Sequence, residues 1–148
     1  MPETAKTSLE HQTYLALVRT LQHLHQQTAL LFKEKGLSGP QFNVLRILRG
    51  AGPDGATCGE IIQQLLDTSK DPDVTRLLDN LEKQGLIHRS RSQQDRRVVL
   101  SSITKKGLDL LAQLDQPLLD LHQQQFQHLG QDKLQQLYDL LQELHPGQ

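Results

Sequence analysis

Apolar residues recur with the 3.6-residue period of an amphipathic α-helix in six segments of this 148-residue chain. The first predicted helix covers residues 9–35 and stops at Gly36, because glycine commonly terminates helices. A helix of that extent is roughly 40 Å long, which is more than a compact monomer of this size usually needs. Its apolar stripe consists of Tyr14, Leu17, Val18, Leu21, Leu24, Leu31 and Phe32, with Thr28 in the same register.

Two shorter helices are predicted next, each with a recognisable start signal. Ser38 and Gln41 form a capping box at the start of the second helix, and Thr57 and Glu60 form another at the start of the third. The glycines and proline between residues 50 and 55 predict the connecting loop. The predicted core residues are Phe42, Leu45 and Leu48 in the second helix and Ile61, Ile62, Leu65 and Leu66 in the third.

The fourth predicted helix leads into a segment with a different period. This helix is expected to begin near Asp71 or Pro72, since aspartate is a good N-cap and proline suits the first helical turn. Its stripe consists of Val74, Leu77, Leu78 and Leu81. Two short strands joined by a polar loop are then predicted, with the strands at 86–91 and 97–103 and the loop at 92–96.

Two further helices complete the pattern. Thr104 is predicted to cap the fifth helix, Pro117 to kink it near Gln113, and Gly130 to separate it from the last helix. The chain is therefore predicted to be mostly α, an α+β protein in which four helices precede a hairpin and two helices follow it.

The charge is unevenly distributed along the chain although the net charge is only −1. Residues 68–106 carry nine Lys/Arg against five Asp/Glu, whereas residues 107–148 carry one Lys against six Asp/Glu. A basic middle segment indicates a local electrostatic footprint for an anionic partner. The five aromatic Phe and Tyr residues are scattered, which argues against a stacking surface for single strands.

Three motifs in the middle of the chain resemble the MarR family, the multiple-antibiotic-resistance-type regulators. Residues 73–87, DVTRLLDNLEKQGLI, resemble the family's recognition helix and first wing strand. Residues 95–100, DRRVVL, look like its wing motif, and residues 103–107, ITKKG, look like its entry into the fifth helix. With the flanking helices, the resemblance covers roughly residues 9–145.

The resemblance implies a winged helix-turn-helix DNA-binding region with long terminal helices that form an intertwined dimer. Residues 37–106 would form the DNA-binding region, and residues 1–36 and 107–148 the helical dimerisation region. Such proteins usually bind pseudo-palindromic double-stranded DNA as homodimers, and most are repressors relieved by a small molecule or an oxidant. Winged proteins that have lost DNA binding and serve in protein interaction, or mainly in effector sensing, are the alternatives.

The fourth helix carries polar side chains outside its apolar stripe that suit base recognition in the major groove. Arg76 can present a fork to guanine, Asn80 can pair with adenine, and Thr75 can touch a phosphate or a thymine methyl. Asp73 either accepts a bond from cytosine or caps the helix. A solvated face is the alternative for this candidate set of Asp73, Thr75, Arg76, Asp79 and Asn80.

The hairpin carries the second candidate DNA-binding set. An arginine at a hairpin tip can enter a narrow minor groove, and the resemblance favours Arg97 for this contact, with Asp95 holding the arginines in place. An internal ion pair between Asp95 and Arg97 is the alternative. The set comprises Arg89, Arg91, Gln93, Gln94, Asp95, Arg96 and Arg97.

Helix starts supply the third set, because backbone N–H groups there bind phosphates. Ser38 and Gln41 begin one such helix and Thr57 begins another, with capping alone as the alternative. Cys58 lies in the first turn of the third helix, and a redox sensor is the alternative for this residue. In the family's peroxide-sensing members the reactive cysteine lies in the first helix, and the first helix of this chain contains no cysteine. Cys58 is therefore interpreted as structural.

Other chemistry finds little support in the sequence. The seven histidines lack the spacing that brings two metal ligands to one helix face, so no metal or cofactor is predicted. A zinc site built across helices is the alternative. No nucleophile elbow, P-loop or zinc-protease motif is present, so an enzyme is not expected. A single cysteine and the lack of a leader or an 18-residue apolar run predict a cytoplasmic protein with no membrane segment.

Overall fold

A computed structural model describes residues 7–65 and 73–145 of the chain. In these segments the element order is α1 Leu9–Lys33, α2 Gly39–Ala51, α3 Cys58–Gln64, α4 Val74–Lys83, β1 Ile87–Arg91, β2 Val99–Ile103, α5 Lys105–Phe126, a 3₁₀ turn Gln127–Leu129 and α6 Gln131–Leu144. The predicted fold class and element order are confirmed.

Among the described residues, five of the six α-helices begin at a side-chain cap, and the sequence predicted three of these caps. Ser38 and Gln41 form the complete capping box: the Ser38 hydroxyl accepts the Gln41 N–H at 3.2 Å, and the Ser38 N–H donates to Gln41 Oε1 at 2.9 Å. At α3 the Thr57 hydroxyl accepts the Glu60 N–H at 3.2 Å but donates to the Glu60 carboxylate, so the box predicted there is only half formed. Thr104 caps α5 as predicted, by accepting the Gly107 N–H at 3.1 Å.

The start of α4 differs from the prediction. Helix α4 begins at Val74, and Asp73 is its N-cap, with Oδ1 accepting the Arg76 N–H at 3.1 Å. Asp71 and Pro72, where the start was predicted, lie outside the described residues. Asp73 directly precedes Val74, the first residue of the apolar stripe, which is buried in the core. An aspartate in that position suits an N-cap.

Helix α2 supplies much of the core. Leu45 and Leu48 are completely buried, and Phe42 stacks on Phe32 of α1 with ring centroids 4.2 Å apart. Helices α3, α4 and α5 contribute Ile61, Leu81, Leu111 and Leu114. The prediction that Ile62 belongs to the core was wrong, since 54% of this residue is exposed, and Leu66 lies outside the described residues.

The hairpin pairs its strands antiparallel, with Ile87 opposite Ile103 and Arg91 opposite Val99. Both strands are shorter than predicted at their N-terminal ends. The second was expected from residue 97, but the Val98 N–H donates to the Asp95 carbonyl at 3.0 Å and closes a turn instead. Ala56 adds an isolated bridge to Ser101, which joins the loop before α3 to the sheet.

The long helices α1, α5 and α6 leave much apolar surface uncovered. The stripe predicted for α1 is buried only near its C-terminal end, while Tyr14, Leu17 and Leu21 are exposed. Leu108 of the predicted α5 stripe is also 41% exposed. Helix α5 continues as one helix through Pro117, and the kink expected near Gln113 stays a prediction. Within residues 7–65 and 73–145, no helix combines the length and hydropathy required to cross a membrane.

Two polar contacts fasten the long helices to their neighbours. One Arg49 nitrogen, Nη1, donates to both carboxylate oxygens of Asp115 at 3.0 Å and so links α2 to α5. The Gln125 amide donates to Gln27 Oε1 at 2.8 Å and to the Leu24 carbonyl at 3.3 Å, which links α5 to α1. The first contact joins a long helix to the shorter helix α2, and the second joins two long helices to each other.

Candidate nucleic-acid interface

Helix α4, which the sequence predicts to be the recognition helix, separates its apolar and polar faces sharply. Leu78 and Leu81 are buried against the core, whereas Thr75 and Arg76 are exposed. Asn80, one turn further along, is half-buried. The polar face therefore offers a hydroxyl, a guanidinium and an amide along roughly the first two turns of the helix, which are the turns that reach base edges in groove-bound helices.

Asp73 is occupied by its own helix. Its side chain accepts the Arg76 N–H, which satisfies one of the N–H groups left unpaired at a helix start. The structure thus provides the capping role that was one of the two interpretations of this carboxylate.

Arg89 of β1 faces the recognition helix. Its Nη2 atom contacts Asp79 Oδ1 at 2.6 Å and Glu82 Oε1 at 3.0 Å, and its backbone N–H donates to Glu82 Oε2 at 3.2 Å. The hydrogen bond from Arg89 lowers the pKa of the Glu82 carboxyl, and the hydrogen bonds that Arg89 donates to Glu82 and Asp79 raise the pKa of Arg89. We refer to Arg89, Asp79 and Glu82 together as the Arg89 clasp.

Two residues of the Arg89 clasp, Asp79 and Arg89, belong to the predicted DNA-contacting sets. Asp79 and Arg89 were both predicted to face DNA, but the structure directs them toward each other. Glu82, the third member, was missed because it belongs to neither the apolar stripe nor the basic hairpin. Its position three residues after Asp79 places both carboxylates on one helix face, and this spacing was the available signal.

The loop between the strands, which with β1 and β2 forms the wing, is organised by short polar contacts. The Ser92 hydroxyl accepts the N–H groups of Gln94 and Asp95 at 3.2 and 3.4 Å. Arg91 Nη1 donates to the Arg96 carbonyl at 2.9 Å. The Arg91 guanidinium therefore braces the loop that carries the remaining predicted residues.

The tip of the wing is highly exposed. The Arg97 side chain is 92% exposed and its Nε lies 3.3 Å from Asp95 Oδ1. Gln93, Gln94 and Arg96 are also exposed. The wing thus presents side chains that can donate hydrogen bonds outward from a braced loop.

The remaining predicted residues lie at helix starts. Ser38 and Gln41 pair with each other in the capping box, and Thr57 caps α3, so their side chains already serve the helices they begin. Cys58, the first residue of α3, is exposed. Among residues 7–65 and 73–145, no cluster of three or more His, Cys, Asp or Glu side chains could hold a metal ion.

Comparison with known proteins places this geometry in a family. The sequence profile of the MarR family matches residues 37–99. The organic hydroperoxide resistance transcriptional regulator of Bacillus subtilis (strain 168) is 33% identical over 93% of this chain and 92% of its own length. The regulator PapX of Escherichia coli is 30% identical over 71% of this chain, and the match spans 63% of PapX.

Solved structures agree with the sequence matches. A MarR transcription factor from Planctomyces limnophilus shares 37% identity and a TM-score of 0.70, covering 92% of this chain and 97% of its own. A mutant of MarR from E. coli, complexed with operator DNA, shares 25% identity and a TM-score of 0.79, covering 95% of this chain and 100% of its own.

The short helices, the two-stranded hairpin and the outward polar face of α4 define a winged helix-turn-helix, DNA-binding transcriptional regulator. One such regulator is 33% identical to this chain over nearly the whole of both chains. The chain belongs to the MarR family.

Proposed function

We propose that the protein acts as a homodimeric repressor on a pseudo-palindromic operator, with α4 in the major groove and the wing beside it. The observation that carries the proposal is the exposed polar start of α4 next to a wing whose Arg97 side chain is 92% exposed. A helix fits the major groove of B-DNA, and an arginine suits the negative potential of a narrow minor groove. The E. coli MarR mutant complexed with operator DNA, at 25% identity, supports operator binding by this fold.

Within this proposal the residues divide by task. Arg76, Thr75 and Asn80 read bases, and Arg97 contacts the minor groove with Asp95 holding its backbone. Gln93, Gln94, Arg91 and Arg96 contact the sugar-phosphate backbone around the wing, and the helix starts at Ser38, with Gln41, and at Thr57 present N–H groups to phosphates.

Dimerisation is assigned to the terminal helices. We propose that residues 1–36 and 107–148 form the dimer and that residues 37–106 bind DNA. Leu21 of α1 is 51% exposed and Leu144 of α6 is 71% exposed, although both lie on helices with an apolar stripe. A second copy of the chain would cover these faces, since large exposed apolar surfaces are unfavourable in an isolated protein.

Selection of bound sequences from a random duplex pool tests the operator proposal. We expect the enriched sequences to share an inverted repeat, because a two-fold dimer presents two recognition helices related by the same symmetry. Half-site centres about 10 base pairs apart, or a multiple of this, would place both helices on one face of the duplex. Enrichment of no sequence by a folded dimer would contradict the proposal.

An effector-sensing role has support of its own in a cleft between the α1 and α2 helices and α5. The cleft has a volume of about 460 Å³, and the stacked rings of Phe32 and Phe42 line it together with His25, Arg46 and His122. Arg46 Nε is buried and has no hydrogen-bond partner among the described residues. An apolar wall with a buried guanidinium nitrogen suits an aromatic carboxylic acid.

Thermal-shift measurements with benzoate test this cleft. Benzoate should raise the melting temperature of the wild type, and an Arg46→Gln variant should lose the shift because the carboxylate would have no cationic partner. Stabilisation of both proteins to the same extent would place the binding elsewhere. The proposed activity is binding alone, without a catalytic step, and the proposed location is the cytoplasm.

A further inference from the structure

We propose that Arg89 and Glu82 are positioning residues for DNA recognition: the Arg89 clasp fixes the wing relative to the recognition helix, and Arg89 itself makes no phosphate contact. This inference rests on the proposed function, because it specifies how the two DNA-contacting elements are held together. It assigns Arg89 a different role from the other arginines of the basic hairpin. It also gives a function to Glu82, an acidic residue beside the proposed DNA-binding surface.

The geometry places the Arg89 side chain inside the protein's own contacts. Its side chain is 25% exposed, compared with 92% for Arg97 at the wing tip. Glu82 uses both carboxylate oxygens: Oε1 accepts from Arg89 Nη2, and Oε2 accepts from the Arg89 backbone N–H. The Glu82 carboxylate thus accepts hydrogen bonds from both the side chain and the backbone of Arg89. Two such bonds constrain the position of β1 relative to α4 more than a single ion pair would.

The charges favour the same assignment. Two carboxylates, Asp79 and Glu82, face one guanidinium. If Arg89 turned away to a DNA phosphate, both carboxylates would lose their cationic partner next to a polyanion. A phosphate contact would be charge-assisted too. Arg89 would gain one anion and leave two carboxylates unpaired, whereas Arg97 would leave only one, so the intramolecular arrangement is favoured for Arg89.

The clasp has a mechanical consequence for recognition. Helix α4 and the wing enter different grooves, so specific binding needs both elements at one fixed separation. Arg89 lies in β1, which continues directly into the wing loop, and Asp79 and Glu82 lie in the second half of α4. Loss of the clasp should therefore reduce specific affinity while leaving non-specific attraction to phosphates intact.

A Glu82→Gln variant distinguishes two roles of Glu82, repulsion of DNA and positioning of the wing, because they predict opposite changes in operator affinity. If Glu82 only repels DNA, its neutralisation strengthens binding. If Glu82 positions the wing, its neutralisation weakens binding to the selected operator by about 2- to 5-fold, the range expected for exposed ion pairs. An Asp54→Asn variant is the matched control, since it removes one exposed carboxylate from the loop before α3. Tighter binding by Glu82→Gln would overturn the proposal.

Arg89→Gln separates positioning from phosphate contact through the salt dependence of binding. A positioning role predicts weaker operator binding with the slope of log K against log salt unchanged, and an effect that is not additive with Glu82→Gln. A slope reduced by about 1 would identify Arg89 as a phosphate contact and contradict the inference. Arg89→Lys keeps the charge but does not reproduce the position of Nη2, the one nitrogen that contacts both carboxylates, so it should restore operator binding only in part.

Hydrogen exchange of the free protein tests the clasp without DNA. Amide protons of β1 and β2 should exchange faster in Glu82→Gln and in Arg89→Gln than in the wild type or Asp54→Asn. Unchanged exchange in the two clasp variants would overturn the clasp even if the wild type binds DNA well. Faster exchange in a protein that binds no DNA would instead contradict the proposed function and leave the clasp standing.

Discussion

Asp95 accepts two hydrogen bonds from Arg97 on the same oxygen: the Arg97 N–H lies 3.1 Å and the Arg97 Nε 3.3 Å from Asp95 Oδ1. The backbone of Arg97 is held while its guanidinium extends into solvent. Exposed ion pairs contribute between zero and about 1 kcal/mol, so DNA can draw the guanidinium away at little cost. Asp95 thereby orients Arg97 without competing strongly for it.

Replacement of Arg97 by alanine should weaken DNA binding across all sequences. The variant removes an exposed cation, and the slope of log K against log salt should fall by about 1. Arg19→Ala serves as the control, because Arg19 is an exposed cation of α1, far along the chain from the wing. Equal losses in the two variants would show that general charge explains the effect and that the wing does not.

Arg76→Ala should change base preference more than overall affinity. An arginine that forms a fork to guanine contributes about 1–3 kcal/mol of discrimination against the wrong base. Repeating the duplex selection with the variant should give the same inverted repeat with one relaxed position in each half-site. An unchanged sequence preference would remove Arg76 from the base-reading set.

Local signals in the sequence predicted most of the fold. The caps at Ser38, Thr57 and Thr104 and the change of period at the hairpin were visible, because each depends on residues close together in the chain. The exposed side of α3 at Ile62 was not, since a helix of seven residues has too few positions to define an apolar face. Whether Ile62 is buried depends on how α3 packs against its neighbours, which the spacing of apolar residues in the sequence does not show.

The candidate site was less accessible to sequence reasoning. The contact between Arg89 and Asp79 depends on how β1 returns past the end of α4, so a pattern of residues along one element cannot show it. Basic residues in a hairpin look equivalent in sequence. The structure distinguishes Arg89, which faces the recognition helix, from Arg97, which faces solvent.

Gly107→Ala should destabilise the protein even though alanine is the better helix former. Gly107 lies in the first turn of α5, and an added Cβ would lie 2.4 Å from the Leu86 carbonyl and 2.7 Å from Ile103 Cγ1. Overpacking of this kind typically costs about 1–3 kcal/mol, which exceeds the helix-propensity gain of about 0.5–1 kcal/mol. Urea denaturation gives the free energy of unfolding.

The matched control for that substitution is Gly50→Ala in α2. Among the described residues, no atom beyond the chain neighbours and the adjacent backbone of α2 lies within 4 Å of the Cβ position at Gly50. This variant should therefore have the same stability as the wild type or a slightly higher one. A stabilising Gly107→Ala would show that α5 does not pack so closely against the end of α4 and the wing.

Leu21→Glu should dissociate the homodimer. Leu21 lies on the exposed apolar side of α1, where a carboxylate buried between two chains would lack a partner. Gln26→Glu adds the same charge on the opposite side of α1 and should leave the dimer intact. Sedimentation velocity measures the result, and a dimeric Leu21→Glu protein would exclude this face from the interface.

The pKa of Glu82 reports the clasp directly. The hydrogen bond from Arg89 lowers this pKa, so Glu82 stabilises the fold above the ordinary pKa of a glutamate, and the contribution disappears as the pH falls through the lowered value. Arg89→Gln should raise the Glu82 pKa toward the ordinary value in an NMR titration of the side-chain carboxyl. An unchanged pKa would mean that Arg89 and Glu82 do not interact in solution.

Sequence-selective binding of duplex DNA by the homodimer is most directly measured by fluorescence anisotropy, with the selected inverted repeat and a scrambled duplex of equal length and composition. We expect the inverted repeat to bind at least about 10³-fold more tightly, with affinity for both duplexes falling as salt rises. Equal affinity for the two duplexes, or no binding by a folded dimer at low salt, would contradict a role as an operator-binding regulator.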